Sequence, residues 1–190
     1  MEFGLVVVEG VDGCGKGTQL EMLSKIEGCK IFKYPTPKFK MLNDYLEKKI
    51  QLDPKALFLL FLSDIANEQK EVEEESKKTL VILDRYVFST IAYEKDGIDF
   101  EQAKKIVGDI GFLKPDKIIL LDIPVSVSQE RKSKQKELDR YEENAEYLEK
   151  VRQGFLKLHE ERFLTPNWHM LDANRDAQSV HEDILKILGQ

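Results

Sequence analysis

Short apolar runs alternate with longer amphipathic stretches along almost the whole chain. The runs at about 3–8, 30–34, 79–83, 117–122 and 168–171 are mostly apolar throughout, as strands covered on both faces of a parallel sheet are. Between them the apolar positions return at helical spacing. This predicts helices near 16–27, 39–49, 54–76, 86–94, 99–110, 124–136, 141–164 and 176–188. Asp53-Pro54 and Asp176 suit helix starts, while Gly28 and Gly189 suit stops. The alternation predicts an α/β fold, a five-stranded parallel sheet with helices on both faces and ligands outside the carboxyl ends of the strands. No internal repeat or low-complexity linker interrupts it. The charge cluster from Glu71 to Glu75 reads as the solvated face of a helix.

The first strand runs directly into Glu9-Gly10-Val11-Asp12-Gly13-Cys14-Gly15-Lys16-Gly17-Thr18, followed by a helical stretch. Strand, Gly-x-x-x-x-Gly-Lys and helix, in that order, make a phosphate-binding loop. Gly10, Gly13 and Gly15 permit turns that a Cβ would forbid, so backbone N–H groups and the helix dipole converge on one concavity. Lys16 adds a charge that can reach the β- and γ-phosphates. The expected ligand is a nucleoside triphosphate. Gly17 stands where a hydroxyl usually ligates Mg²⁺, so the metal is expected to lean on phosphate oxygens and water. Thr18 then serves as a phosphate contact before it serves as a metal ligand. Gly-Lys-Gly-Thr in place of Gly-Lys-Ser-Thr points to small nucleotide kinases and away from GTPase switches.

The 190 residues fit one domain spanning 1–190. Charged residues make up 34% and the net charge is −6, which argues against general affinity for nucleic acid or an anionic membrane; phosphate binding must be local. With no long apolar run and no signal-peptide pattern, the chain is expected in the cytoplasm. Cys14 and Cys29 form neither a disulfide nor a metal-ligand pattern.

After the third strand come Asp84-Arg85-Tyr86-Val87-Phe88-Ser89 and then Thr90-Ile91-Ala92-Tyr93. A carboxylate closing a strand in a phosphate-loop protein is the expected Mg²⁺ partner, directly or through water, and this assigns Asp84. Helix capping is its plainer alternative. The planar fork of Arg85 can bridge the phosphates of two substrates.

EGVDGCGKGTQL followed by VILDRYVFSTIAY resembles the thymidylate kinase family. Further segments agree in order: Lys33-Tyr34-Pro35, Leu59-Leu60-Phe61, Leu120-Leu121-Asp122-Ile123-Pro124, Leu138-Asp139-Arg140-Tyr141-Glu142, and Leu171-Asp172-Ala173-Asn174 with Val180-His181-Glu182-Asp183-Ile184. The resemblance implies a P-loop kinase three-layer fold with a short lid at about 131–141, and transfer of the γ-phosphate of ATP, with Mg²⁺, to dTMP. It implies roles as well. Asp12 would approach the sugar 3′-hydroxyl or the acceptor phosphate, and Arg85 would hold that phosphate near the donor. Tyr34, Pro35 and Phe61 would contact the nucleoside, Ser89 would lie near the base, and Tyr93 would crowd the ribose 2′ position. Ala173 would present backbone to adenine, with Arg131 packed on the same ring. Homodimers are common in the family, and the run Ala56 to Leu62 could serve pairing or core burial. His181, on an apolar-periodic helix, is read as structural.

The phosphate loop has no basic residue between Gly10 and Gly15, which resembles bacterial-type members whose catalytic cations come from the lid. Here that stretch is Arg131-Lys132-Ser133-Lys134-Gln135-Lys136, ending at Arg140. Two family arginines are absent, since no arginine precedes Arg85. Lys38 or Lys40 can replace a phosphate charge but not a bidentate fork. Ile65, four residues beyond Phe61, cannot hydrogen-bond a base, leaving Asn67 or Gln69 as candidates to read it. The expectation is that dTMP remains the best acceptor, with looser rejection of dUMP. Rival readings are a kinase for another monophosphate and a catalytically weak regulatory homologue. A guanine-reading Asn-Lys-x-Asp motif is absent.

Overall fold

A computed structural model describes residues 4–95, 97–133 and 145–189. In chain order the elements are β1 (Gly4–Glu9), α1 (Lys16–Leu23), β2 (Cys29–Lys33), α2 (Lys40–Leu46), α3 (Pro54–Ser76), β3 (Leu80–Asp84), α4 (Val87–Ala92), α5 (Phe100–Ile110), β4 (Lys117–Asp122), α6 (Val125–Ser133), α7 (Ala145–Glu160), β5 (Trp168–Asp172) and α8 (Ala177–Leu188). All five strands are parallel in the order β2-β3-β1-β4-β5. The sheet expected from the alternation of runs is the sheet observed.

The order explains the strand patterns. β1, β3 and β4 are interior strands, and Val7, Val8, Val81, Ile82, Leu83 and Ile118 are almost wholly buried. β2 and β5 lie at the edges and are only partly covered. Asp53 caps α3 by accepting from Lys55 and Ala56, Asp176 caps α8 by accepting from Ser179, and Gly189 ends α8 in the left-handed region at φ 80°. α1 is shorter than the pattern suggested. It ends at Leu23, and tight turns carry the chain through Gly28 into β2. α7 likewise stops at Glu160, ahead of Arg162 and Leu164 with left-handed backbones.

Two features place the site. β3 lies beside β1 with Val8 opposite Asp84, and the Arg85 N–H donates to the Val8 carbonyl at 3.2 Å. The end of β3 therefore sits next to the glycine-rich loop. Beyond it, every residue of α4 is buried, so this short helix is a fixed platform and not a mobile surface element. On the far side of β4, Arg152 of α7 grips Asp122 with two hydrogen bonds of 2.7 and 2.8 Å. That bidentate pair anchors α7 to the strand end from which α6 departs.

Candidate active site

The loop after β1 bends as its glycines require. A Cβ on Gly10 would lie 2.4 Å from the Leu121 carbonyl oxygen, and one on Gly13 would lie 2.8 Å from that of Ser128. Gly15 caps α1 at φ 104°. Lys16 is buried, its Nζ donating to the carbonyls of Gly10 at 2.6 Å and Val11 at 3.2 Å. Cys14 is packed beneath the loop, 1% exposed, whereas Gly17 and Thr18 face solvent.

Two cavities meet above this loop. The larger, about 450 Å³, is lined by residues 12–19 together with Lys33, Asp84, Arg85, Arg131, Lys132, Ala173, Arg175, Ala177 and Val180. It gathers the phosphate loop, the end of β3 and the turn after β5, as the donor nucleotide was expected to need. Asp84 is 6% exposed; Lys33 approaches one oxygen at 3.6 Å, and Oδ1 has no hydrogen-bond partner among the described residues. A buried carboxylate oxygen left without a partner costs free energy, so a cation or its water fits there. No group of three or more His, Cys, Asp and Glu among the described residues could hold a metal unaided. A hard cation that takes most of its ligands from phosphate and water, with Asp84 behind it and the exposed Thr18 hydroxyl nearby, suits this donor set. Ala173 donates its N–H to Asp122 at 2.9 Å, and its carbonyl accepts from Arg131 at 3.1 Å. Its backbone can therefore meet a base only through the carbonyl's second lone pair. Gln19 ties α1 to α8 through the Ala177 carbonyl and His181 Nδ1, which makes His181 structural.

The second cavity, about 300 Å³, is mostly apolar. Tyr34 and Pro35 form one wall, Leu57, Phe58, Phe61 and Ile65 of α3 another, and Ser89 and Thr90 of α4 with Tyr93 just after it a third. The segment bearing Tyr34 is held in place by Thr36, whose N–H and hydroxyl donate to Asp64 at 2.7 and 2.5 Å. The nucleoside-binding candidates Tyr34, Pro35, Phe61, Ser89 and Tyr93 thus converge, although they come from three separate segments.

Where the cavities join, Arg85 pairs with Asp12, and its Nη1 donates to Ser89 Oγ at 3.2 Å. The Arg85 backbone is left-handed at φ 68°, a conformation uncommon outside glycine and frequent at functional positions. The Tyr93 hydroxyl accepts from the Asp12 N–H at 3.1 Å and donates to its carboxylate at 3.2 Å. Burial would raise the Asp12 carboxyl, but Arg85, then Lys16 and Lys132, outweigh it and hold the group at about 2.

Several expectations need correction. Gln69 does not face the base cavity: its Oε1 accepts from the Tyr86 hydroxyl and the Leu113 N–H, and Nε2 donates to Ile65. Asn67 points to solvent. Lys38 is paired with Glu68 at 2.6 Å and Lys40 with Asp44, and neither lines either cavity. Arg140 and the lid beyond residue 133 lie outside the described residues.

Two residues were missed. Thr90 is 8% exposed and lines the apolar cavity. Its position one residue from Ser89 on the same short helix was the available signal. Glu9 is fully buried at the end of β1. It accepts from the N–H groups of Tyr86 at 2.8 Å and Ser89 at 3.1 Å, and from Ser89 Oγ at 2.6 Å. α4 has no side-chain cap of its own, so Glu9 supplies one from another strand. A charged residue closing an apolar strand, as Asp84 does, was the clue.

Burial pushes Glu9 up from 4.5 to about 7, against the lowering pull of Ser89, Arg85 and Lys16. The folded protein therefore retains a proton that the unfolded chain releases between these values. Stability from the neutral form is present below pH 4.5 and is lost as pH rises toward 7, a cost of about 3 kcal/mol. In Glu9→Gln this titration is gone. Urea unfolding from pH 4.5 to 8 should show the variant gaining on the parent by up to that amount, and a pH-independent difference would refute the assignment.

A phosphate loop, a strand-end Asp-Arg pair and a second nucleoside-sized cavity joined at an arginine define a P-loop nucleoside-monophosphate kinase. The comparisons narrow the class. The family model for thymidylate kinase matches residues 8–184. The probable thymidylate kinase 1 of Saccharolobus solfataricus is 35% identical over 97% of this chain and 96% of its own. The human thymidylate kinase is 30% identical over 95% of this chain and 87% of its own. The structure of thymidylate kinase from Candida albicans superposes with a TM-score of 0.82 at 26% identity, covering 99% of this chain and 92% of its own. The chain belongs to the thymidylate kinase family.

Proposed function

We propose that residues 1–190 form one nucleoside-monophosphate kinase domain that transfers the γ-phosphate of ATP to dTMP, giving dTDP and ADP. The observation that carries this reading is the junction of the two cavities at Arg85 and Asp12, beside the phosphate loop. An oxygen of the dTMP phosphate forms a bond to the γ-phosphorus as the bond to the β-bridging oxygen breaks. The acceptor is already an anion, so no general base is needed. The protein must align two anions and offset their repulsion. Lys16 and the loop N–H groups hold the donor phosphates; Arg85, leaving Asp12 in part, holds the acceptor. Bound Mg²⁺ would neutralise charge on the β- and γ-oxygens, with Asp84 behind it. Tyr93, fixed by Asp12 and by the Arg85 guanidinium 5.1 Å from its ring centre, crowds the sugar.

Base selection rests on shape more than on hydrogen bonds. Phe61, Phe58 and Ile65 offer an apolar wall, and Thr90 and Tyr34, whose buried hydroxyl has no hydrogen-bond partner among the described residues, line the same cavity. Apolar pockets discriminate by tens to hundreds, where hydrogen-bonded ones reach about 10⁴. ADP release across deoxy- and ribonucleoside monophosphates should show dTMP preferred, with dUMP within about 100-fold in kcat/KM. Preference for a purine nucleotide would sink the reading, and silence with every acceptor would favour a regulatory homologue. The family's pairing as homodimers is supported in this chain by the outward Leu59 of α3, 52% exposed. No helix among the described residues is long and apolar enough to cross a membrane.

A further inference from the structure

Glu9 lines neither the donor nor the acceptor cavity, yet its hydrogen bonds surround the residue where the two join. Its Oε1 accepts from the N–H groups of Tyr86 and Ser89, which fixes the backbone just beyond Arg85. The Arg85 N–H is held by the Val8 carbonyl, so the last two residues of β1 grip this left-handed turn from both sides. Its Oε2 accepts from the Ser89 hydroxyl at 2.6 Å, and Ser89 Oγ accepts from Arg85 Nη1 at 3.2 Å. A chain therefore runs from buried carboxylate through hydroxyl to guanidinium.

A hydroxyl has one proton and two lone pairs, and an ionised carboxylate can only accept. Ser89 must then give its proton to Glu9 and turn a lone pair to Arg85. We infer that Glu9 is a positioning residue of the reaction: its ionised carboxylate, acting through the Ser89 hydroxyl, holds one arm of the Arg85 guanidinium while the other leaves Asp12 for the acceptor phosphate. The inference rests on the kinase reading above and adds a residue that touches neither substrate. The arms are already divided in this way, with Nη2 on Asp12 and Nη1 on Ser89. A protonated carboxyl, or the amide nitrogen of a glutamine, in the place of Oε2 donates to Ser89 instead. The hydroxyl proton then competes with a lone pair for the position facing Arg85. Ser89 and Tyr86 of α4, Arg85 after β3 and Lys16 of α1 all favour the ionised form, and burial opposes them. A carboxylate kept there against stability fits a site where function and stability conflict.

Glu9→Gln keeps the size of the side chain and an oxygen for the two backbone N–H groups. At pH 8 it should be the more stable protein and the slower enzyme, a combination that a purely structural role does not give. Its kcat with ATP and dTMP should fall about tenfold at pH 8, with KM for ATP within about threefold of the parent. At pH 6 the parent carboxyl is largely protonated as well, so the parent-to-variant ratio should shrink to less than about threefold. Titration of the substrate phosphates is common to both proteins and cancels in that ratio. Ser89→Ala should lose a similar amount, and the double variant should be within about twofold of the slower single one, because both changes cut the same chain. Without substrate, rotation of the Arg85 guanidinium about its Nε–Cζ bond, followed by nitrogen NMR at pH 8, should be at least about threefold faster in Glu9→Gln. A kcat within about twofold of the parent, a ratio flat from pH 8 to pH 6, losses that multiply in the double variant, or an unchanged rotation rate overturns the inference. If the parent lacks dTMP turnover, the substrate reading fails, and the rotation rate alone decides the role of Glu9.

Discussion

Arg85→Met is expected to lower kcat for dTMP phosphorylation by about 10³–10⁵, the range seen when an arginine that stabilises a phosphoryl-transfer transition state is removed. The guanidinium stands where the two cavities join, beside its anionic partner Asp12. Its removal leaves Asp12 facing the acceptor phosphate with like charge. The fold should also suffer, because Arg85 lies over the Tyr93 ring and donates to Ser89. Removing one partner of a fully buried pair costs about 3–5 kcal/mol, and the side chains of this pair are each 20% exposed. Lys16 and Lys132, which also face Asp12, should bring the loss below that range. Arg85→Lys separates charge from geometry: it keeps the cation but cannot reach Asp12, Ser89 and a phosphate as a planar fork. About 10²–10³ of the rate should still be lost. Steady-state kinetics with urea unfolding on the same samples checks both. Arg85→Met with kcat within tenfold of the parent would remove Arg85 from the reaction.

Lys16→Met should cost about 10³ in kcat together with weaker ATP binding, since this residue serves donor phosphates in ground and transition states alike. Its Nζ is held by two carbonyls of its own loop at 2.6 and 3.2 Å, so it also shapes the loop it arises from. Lost loop hydrogen bonds cost about 1 kcal/mol each, well short of unfolding a domain of this size. ATP affinity by calorimetry should therefore fall in a protein that still unfolds cooperatively. An unchanged ATP affinity and rate would contradict the phosphate-loop assignment itself.

Local pattern carried much of this architecture. The interior strands announced themselves as unbroken apolar runs because sheet neighbours and helices cover both their faces. Asp53-Pro54 and Asp176 marked helix starts because their side chains satisfy N–H groups two or three residues away. The phosphate loop was legible for the same reason: its glycines, lysine and following helix act within one short segment. The end of α1 was not legible, since the Ser24–Gly28 turns are set by where β2 must join the sheet. Gln69 failed as a base reader because Tyr86 and Leu113, distant in sequence, claim its amide oxygen.

The sequence by itself determined that five strands and their helices form, that a polyphosphate loop follows β1, and that an Asp-Arg pair closes β3. These depend on residues within a few positions of each other, where periodicity and backbone sterics decide. Only the tertiary structure placed β3 beside β1 and β2 outside it, which brings Arg85 to Asp12 across 73 residues. It also buried Glu9 under α4 and turned Thr90 into an apolar cavity. Such meetings depend on strand order and on which helix packs over which strand end. A local spacing does not encode them, because the same amphipathic segment would be equally satisfied against another neighbour.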